Sequence, residues 1–144
     1  MTNMPMISKV FVDTNVFVAL EDQNDSTHKK AIELSLLLNQ NKKMKFYTSS
    51  EVIGETLTVV SHKLGKEMAR LFMKKYKNTK TREIFFEENM YQDTKGLFLR
   101  NKSKNISFID CSSVLAMRRA KIKVIFSFDE DFRKLGVKLL KDVV

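Results

Sequence analysis

Acidic side chains follow two apolar segments of this sequence that are typical of buried strands. Asp13 comes directly after the β-branched run Ile7–Val12, and Asp129 lies three residues beyond the run Lys123–Phe126. A third acid, Asp110, opens a predicted helix. In open α/β sheets, ligands bind outside the carboxyl ends of the strands, so we expect these three carboxylates to share one site. Grouped carboxylates are suited to acid–base or metal-assisted chemistry.

A fourth carboxylate comes from the predicted helix Ser50–Lys63. The apolar face of that helix is formed by Val52, Ile53, Leu57, Val59 and Val60. Glu55 stands about 40° from Val59 on a helical wheel, whereas Glu51 is one step further out. A carboxylate beside a core is costly unless a cation or hydrogen bonds compensate it. We therefore expect Glu55 to face the site, the alternative being a surface pair with Glu51.

Each acid also has an ordinary structural interpretation. Asp13 and Asp110 are suited to helix N-caps, where Asp is favoured. Asp129 and Asp131 are suited to a turn. Taken together, however, carboxylates at one edge of a sheet repel one another unless a counter-ion is present. The group as a whole therefore predicts a divalent cation.

The available donors predict which cation this is. His28 and His62 lie in helical or loop contexts away from the strand-end acids, and we expect both at the surface. Cys111 follows Asp110 directly, but a small buried side chain is its expected role. With oxygen ligands alone, the site favours Mg²⁺ or Mn²⁺ over Zn²⁺.

The elements that must position these acids alternate along the chain. Five apolar segments predict strands: Ile7–Val12, Lys45–Thr48, Arg82–Phe86, Lys123–Phe126 and Val137–Leu140. Five further segments predict helices: His28–Asn41, Ser50–Lys63, Lys66–Lys77, Glu88–Asn101 and Asp110–Lys121. The strand segments are apolar almost throughout, which indicates a sheet covered on both faces. The fold class is therefore α/β, a three-layer α/β/α sandwich with a central, mainly parallel sheet.

Length and composition fit one domain over residues 1–144. Of the 144 residues, 43% are hydrophobic, and the one cysteine suits a reducing compartment rather than a disulfide scaffold. No apolar run is long enough to span a membrane, and the N-terminal residues lack the basic-then-apolar pattern of a signal peptide. We expect a cytoplasmic protein with no membrane partner.

The charge balance favours a polyanionic partner. Lys and Arg total 26 against 17 Asp and Glu, a formal net charge of +9, and such a field attracts RNA or DNA. In the predicted helix Lys66–Lys77, the cations Lys66, Arg70 and Lys74 share one face. This face is suited to lining an RNA groove, and the alternative is a solvated lysine surface.

Four segments give the sequence a resemblance to a known family. They are VDTNVFVAL at 12–20, TSSEVIGET at 48–56, ISFIDCSSVLAMRRA at 106–120 and SFDEDF at 127–132. In this order they resemble PIN-domain ribonucleases, and within that family the VapC-type toxins of prokaryotic toxin–antitoxin pairs. The resemblance covers nearly the whole chain. It implies a PIN-like fold and a metal-dependent endoribonuclease, with RNA as substrate.

The resemblance also implies residue roles and partners. An acid quartet that holds Mg²⁺ or Mn²⁺ corresponds to Asp13, Glu55, Asp110 and Asp129. Asp131 matches a further acid of the family. The polar positions that orient the carboxylates correspond to Thr14, Asn15 and Ser127. The helices over residues 50–77 correspond to a projection that helps to form a homodimer, and an antitoxin protein is the expected second partner.

Other functional classes fit less well or stay open. A haloacid-dehalogenase-like phosphatase needs Asp-x-Asp after the first strand, and Asn15 stands where that second acid would be. A receiver-like signalling domain needs an acidic pair at the first strand, which is also missing. Two alternatives remain: a PIN nuclease of RNA processing that is not a toxin, and a catalytically silent PIN-like module that binds RNA or a protein partner.

Overall fold

The computed structural model describes residues 7–144, and a five-stranded parallel sheet lies at its centre. The strands are β1 Lys9–Val12, β2 Lys45–Ser49, β3 Arg82–Ile84, β4 Val124–Phe126 and β5 Lys138–Leu139. Their order is β3-β2-β1-β4-β5, and each neighbouring pair is parallel. All carboxyl ends therefore lie along one edge. The residues in which we found no signal-peptide pattern lie largely outside the described part of the chain.

Seven α-helices and one 3-10 helix connect or follow these strands within residues 7–144. The α-helices are α1 Thr14–Glu21, α2 His28–Asn39, α3 Ser50–Leu64, α4 Lys66–Lys77, α5 Glu88–Arg100, α6 Phe108–Arg119 and α7 Leu140–Val143. The 3-10 helix spans Glu130–Leu135. None of the helices in this range combines the length and apolarity that crossing a membrane requires.

Helices cover both faces of the sheet, which confirms the three-layer α/β/α prediction. Because side chains alternate along a strand, β1 and β4 supply apolar groups to both faces. Phe11 and Ile125 pack in a cluster with residues of α3, α5 and α6. Val10 and Val124 pack on the opposite face with residues of α1, α2 and α7. Double burial explains why these strands are apolar throughout.

A glycine separates α3 from α4, as the sequence predicted. Gly65 has φ 95° and ψ 163°, a conformation that L-residues with a Cβ rarely adopt. The chain reverses there, and α4 packs back against α3. A small cluster of Val18, Val60 and Ala69 joins α1, α3 and α4. The helix pair is thereby fixed beside the carboxyl edge of the sheet.

Several local features differ from what the sequence predicted. We did not predict α1, because its Val16–Val18 run continues the apolar pattern of β1. The 3-10 helix was also missed: it carries four charged residues, and only Phe132 and Leu135 anchor it in the core. The predicted strand Val137–Leu140 divides into the short edge strand β5 and the start of α7. In each case tertiary packing, rather than local pattern, decides the backbone conformation.

Candidate active site

A cleft opens at the carboxyl edge of the sheet, where β1 and β4 end side by side. Its volume is about 260 Å³. The lining residues come from several separate segments: Asp13, Thr14, Asn15, Val18, Asp25, Glu55, Val59, Lys63, Asp110 and Asp129. All four acids of the expected quartet are among them. The structure thus brings these carboxylates together around one opening.

Asp13 lies at the bottom of this cleft. It follows β1 directly, and its backbone N–H donates to the Phe126 carbonyl of β4 at 3.0 Å. Its side chain is only 5% exposed and accepts a hydrogen bond from the Ser127 hydroxyl at 2.8 Å. The pKa of Asp13 is raised to about 7, mainly by burial and to a smaller extent by the negative charges of Asp110 and Glu55. The Ser127 hydrogen bond opposes this shift in pKa without cancelling it.

Asn15 and Ser127 connect Asp13 to the loop after β4. The Asn15 side-chain amide donates to the Ser127 hydroxyl at 3.0 Å and lies 3.4 Å from Asp13 Oδ2. Its carbonyl oxygen accepts from the Phe128 backbone N–H at 3.1 Å. Ser127 Oγ also accepts from the Asp129 N–H at 3.1 Å. Asn15 and Ser127, two of the three polar residues expected to orient the carboxylates, therefore form one hydrogen-bonded network that joins Asp13 to the backbone of Asp129.

Glu55 reaches the cleft from α3, where Ser49 caps the helix by accepting from the Val52 N–H. The Thr14 hydroxyl donates a short hydrogen bond to the Glu55 carboxylate. Glu51, one turn earlier, is hydrogen-bonded to Ser50 and does not line the cleft. The helical-wheel argument thus selected the acid that faces this opening.

Asp110 is held by the first turn of α6. The helix begins at Phe108, so the prediction that Asp110 opens it was wrong: Asp110 is its third residue. It forms a reciprocal capping box, in which the Asp110 N–H donates to Ser107 Oγ and the Ser107 N–H donates to Asp110 Oδ2. Burial raises the pKa of Asp110, as does the charge of Asp129, against the hydrogen bonds from Ser107.

Asp129 and Asp131 have different positions despite their closeness in sequence. Asp129 lines the cleft and caps the 3-10 helix, accepting from the Asp131 N–H at 2.9 Å. Asp131 does not line the cleft, and its carboxylate pairs with Lys134 at 3.0 Å. Asp129 therefore occupies a turn, as one interpretation predicted, and also lines the cleft.

Two charged residues of the cleft were missed at the sequence level. Asp25 enters from the loop between α1 and α2, where Thr27 holds it by two hydrogen bonds. No pattern in that polar stretch could have placed it. Lys63 did carry a signal, because it follows Glu55 by eight residues, two turns along the same face of α3. The predicted RNA-binding cations Lys66, Arg70 and Lys74 lie outside this cleft, along a neighbouring groove between α3 and α4.

The donor set of the cleft fits a hard divalent cation. Its carboxylates offer only oxygen ligands, and the raised pKa of Asp13 shows that the site disfavours uncompensated negative charge. Within residues 7–144, no three His, Cys, Asp or Glu side chains converge on one coordination point in this conformation. Each carboxylate is turned to a local donor instead, such as Thr14 for Glu55 and Ser107 for Asp110. Direct coordination by all four therefore requires side-chain rotation.

Comparison with known families decides the classification. The profile described as the PIN domain matches residues 10–138. This chain belongs to the PIN domain family. The resemblance drawn from the four sequence segments is thereby confirmed. The order and parallel pairing of the strands agree with that assignment.

Relatives within the PIN family include bacterial toxins. Proteins named 23S rRNA-specific endonuclease VapC20, from two Mycobacterium tuberculosis strains, are 28% identical to this PIN-domain chain over 127 residues. The match covers 88% of this chain and 94% of each relative. The crystal structure of Mycobacterium tuberculosis VapC20, described as a sarcin–ricin loop cleaving toxin, is similar with a TM-score of 0.79 and 25% identity. That match covers 89% of this chain and 95% of the toxin.

Two more distant structures share the PIN fold. VapBC2 from Rickettsia felis, bound to a promoter DNA fragment, has a TM-score of 0.66 at 17% identity and covers 91% of this chain and 96% of its own. FitAcB from Neisseria gonorrhoeae has a TM-score of 0.62 at 16% identity and covers 90% and 95%. At these identities the likeness establishes the PIN-like α/β/α fold and nothing more specific.

Proposed function

We propose that this protein is a metal-dependent endoribonuclease whose RNA substrate is cleaved at the acidic cleft. One observation carries the proposal: Asp13, Glu55, Asp110 and Asp129 come from four separate segments of a PIN-domain chain and line one opening. Carboxylates that raise one another's pKa need a cation to stay ionised together, and phosphodiester hydrolysis uses such a cation. The presence of all four acids disfavours a catalytically silent module.

We assign the residues of the cleft to distinct tasks. A bound Mg²⁺ or Mn²⁺ would supply charge neutralisation at the phosphate and a more acidic water. We assign Asp13 and Asp110 as direct ligands of the metal ion. Glu55 and Asp129 would either bind the metal directly, bind it through a water molecule or orient the attacking water. Thr14 holds the Glu55 carboxylate in position, and Asn15 and Ser127 hold that of Asp13, through the hydrogen bonds described above.

Asp131 has a secondary task in this proposal. Its N–H donates to Asp129 and its carboxylate pairs with Lys134, so it fixes the loop that carries Asp129. We propose that it acts on the metal through Asp129.

The attacking group is water rather than the neighbouring ribose hydroxyl. Cleavage then leaves a 5′-phosphate and a 3′-hydroxyl, and the 2′-hydroxyl takes no part in bond breaking. Within residues 7–144, the charged groups that line the cleft are carboxylates and one lysine, without a histidine of the kind that activates a 2′-hydroxyl.

The substrate we propose is structured ribosomal RNA. The 28% identity to VapC20, which is named for cleavage of 23S rRNA, supports this choice over most of the chain. The same likeness supports a role as the toxin of a toxin–antitoxin pair in the cytoplasm, with an antitoxin protein as partner. The VapBC2 and FitAcB structures among its structural neighbours are consistent with that assembly.

Analysis of RNA ends tests the proposed activity. Purified wild-type protein incubated with ribosomes and Mg²⁺ or Mn²⁺ is expected to yield 23S rRNA fragments with a 5′-phosphate and a 3′-hydroxyl. Asp110→Asn, prepared in parallel, is the control for contaminating nucleases and is expected to yield none. Fragments ending in a 2′,3′-cyclic phosphate, or equal cleavage by both proteins, would contradict the proposal.

Growth experiments separate a toxin from a nuclease of RNA processing. Induced expression of the wild-type chain is expected to arrest growth, and co-expression of a small neighbouring open reading frame is expected to relieve the arrest. Asp110→Asn is the matched control and should leave growth unaffected. Normal growth with the active enzyme would exclude the toxin role while leaving the nuclease activity intact.

A further inference from the structure

A second concave surface lies beside the acidic cleft, between α3 and α4. This groove has a volume of about 750 Å³, and its walls carry Lys66, Arg70, Lys74 and Lys77 from α4. Thr58 and His62 of α3 lie on the opposite wall and add further polar groups. The lining also includes the apolar Leu57, Ala69 and Met73, while its donors suit an anionic ligand.

The cations are regularly spaced along one wall. Lys66, Arg70 and Lys74 follow one another at four-residue intervals, which separates their positions by about 6 Å along the helix axis. Lys77 extends the row to a total of about 16 Å. This spacing is close to the separation of neighbouring phosphates along an RNA strand. The row therefore matches several consecutive phosphates of an extended strand.

Three of these four cations have no competing partner within residues 7–144. Arg70 is paired with Glu67 on the same helix. Lys66, Lys74 and Lys77 form no ion pair in that part of the chain, although exposed lysines elsewhere do, such as Lys75 with Glu21. Their charges are available to a ligand, and a row of uncompensated cations favours polyanion binding.

Helix α3 contributes side chains to both the groove and the cleft. Its stripe of Glu55, Val59 and Lys63 lines the acidic cleft, while Thr58 and His62 on the adjacent stripe line the groove. The two stripes are about 60° apart around the helix. Lys63, which lines the acidic cleft, lies near the end of α3, and Lys66, which lines the groove, begins α4 after the turn at Gly65. The cleft and the groove thus lie on adjacent sides of α3, and a strand that crosses α3 from the cleft reaches the groove.

We propose that the groove between α3 and α4 binds the phosphate backbone of the RNA strand on one side of the scissile bond. This inference rests on the proposed ribonuclease function and adds the path of the substrate to it. Backbone contacts position a strand without reading its bases, so the groove supplies affinity and not sequence preference. Two copies of this chain in two-fold contact through the groove would bring like charges together, which favours RNA over self-association here.

Salt-dependent RNA binding tests the proposal. Affinity of a short labelled RNA is measured by fluorescence anisotropy in EDTA, so that the RNA stays intact, over a series of KCl concentrations. The groove variant carries Lys66→Gln, Lys74→Gln and Lys77→Gln. We expect its affinity to fall roughly tenfold and its log–log salt slope to flatten by about 2, because each neutralised phosphate of a single strand contributes about 0.7 to that slope.

A second triple variant serves as the control. It removes the same number of lysine charges as the groove variant, but at the opposite edge of the sheet. Lys43→Gln, Lys123→Gln and Lys138→Gln alter exposed lysines at or near the amino ends of β2, β4 and β5. We expect this variant to keep the wild-type affinity and slope. Equal decreases in RNA affinity in both variants would mean that only the total charge of the protein matters, and would overturn the groove proposal. Unchanged RNA affinity together with an altered oligomeric mass in the groove variant would identify a protein contact instead, and would overturn it as well.

Cleavage kinetics and phosphate mapping separate this inference from the proposed function. The groove variant keeps all four carboxylates, so KM for RNA should rise while kcat stays near the wild-type value. Ethylation interference should mark consecutive phosphates on one side of the cleavage site in wild type, and these marks should be missing in the variant. If the groove variant is active and shows a wild-type KM and a wild-type interference pattern, the groove proposal is refuted and the proposed function is not. Absence of metal-dependent cleavage in wild type refutes the proposed function, whatever the binding data show.

Discussion

Asp13 is the buried carboxylate against which the rest of the cleft is arranged. It sits between β1 and β4, accepts hydrogen bonds from polar residues and faces Asp110 and Glu55. Its raised pKa means that the folded protein holds a proton there more tightly than the unfolded chain does. Protonated Asp13 therefore makes its full contribution to the free energy of unfolding below its ordinary pKa near 3.8. That contribution is lost as pH rises through about 7.

The metal-free protein should thus gain stability from Asp13→Asn in a pH-dependent way. Removing the charge is expected to increase the free energy of unfolding at pH 8 by about 2 kcal/mol more than it does at pH 5. Urea unfolding in EDTA at the two pH values, followed by circular dichroism, measures the difference. Equal changes at both pH values would show that Asp13 is not held at a raised pKa.

The two glutamates of α3 should differ in activity. Glu55→Gln removes a carboxylate from the cleft, and we expect RNA cleavage to fall on the order of 100-fold or more. Glu51→Gln changes a side chain hydrogen-bonded to Ser50 outside the cleft and should keep most activity. Rates at saturating RNA compare the two variants. An inactive Glu51→Gln beside an active Glu55→Gln would refute the assignment of helix faces.

Helix ends place most of the charged groups, and sequence patterns predict them unevenly. The apolar residues of α3 predicted which face of the helix is buried. The glycine at position 65 predicted where the helix ends. Helix α6 was predicted, but its start was placed two residues late, because Ser107 rather than Asp110 is the N-cap. Capping of this kind depends on one residue and shifts easily by a few positions.

The elements that escaped prediction are those that packing alone determines. Helix α1 is short and rich in β-branched residues, and it forms where Val16 and Val18 meet two different apolar clusters. Asp25 reaches the cleft because the loop after α1 folds back, and nothing local marks that loop. The acids near strand ends were predictable because strand ends of a parallel sheet meet at one edge, whereas contacts between loops are not encoded by periodicity.

The turn between α3 and α4 gives an element-level prediction. Gly65→Ala forces a Cβ into a strained conformation at φ 95° and should destabilise the protein by about 1–3 kcal/mol. Gly54→Ala, inside α3 with open space around its Cβ position, should stabilise it by about 0.5–1 kcal/mol. Urea unfolding of both variants measures these changes. Similar stability of the two would contradict the strained turn.

At the scale of the whole molecule, the basic groove is segregated from the two most exposed apolar side chains among the described residues. Cations line the groove between α3 and α4, while exposed apolar side chains occur on and before α5, with Leu99 78% and Phe85 66% exposed. The homodimer expected from the sequence was assigned to residues 50–77. The segregation favours the α5 side for such a contact, because apolar surface drives association and like charges oppose it.

Self-association should therefore respond to α5 and not to α4. Light scattering is expected to give about twice the 16.8 kDa mass of one chain, as two-fold pairing requires. Leu99→Glu should shift the protein towards the monomer, whereas Lys74→Glu, an exposed control on α4, should not. A monomeric mass for wild type at all concentrations would remove the homodimer from the account.

The metal requirement of RNA cleavage tests the central claim most directly. Wild-type protein is stripped with EDTA, and cleavage of 23S rRNA is followed as Mg²⁺ or Mn²⁺ is added back, alongside Asp13→Asn. The acidic cleft predicts no cleavage in EDTA, recovery with either cation and no recovery in the variant. Full cleavage in the presence of chelator, or a fully active Asp13→Asn, would contradict the account.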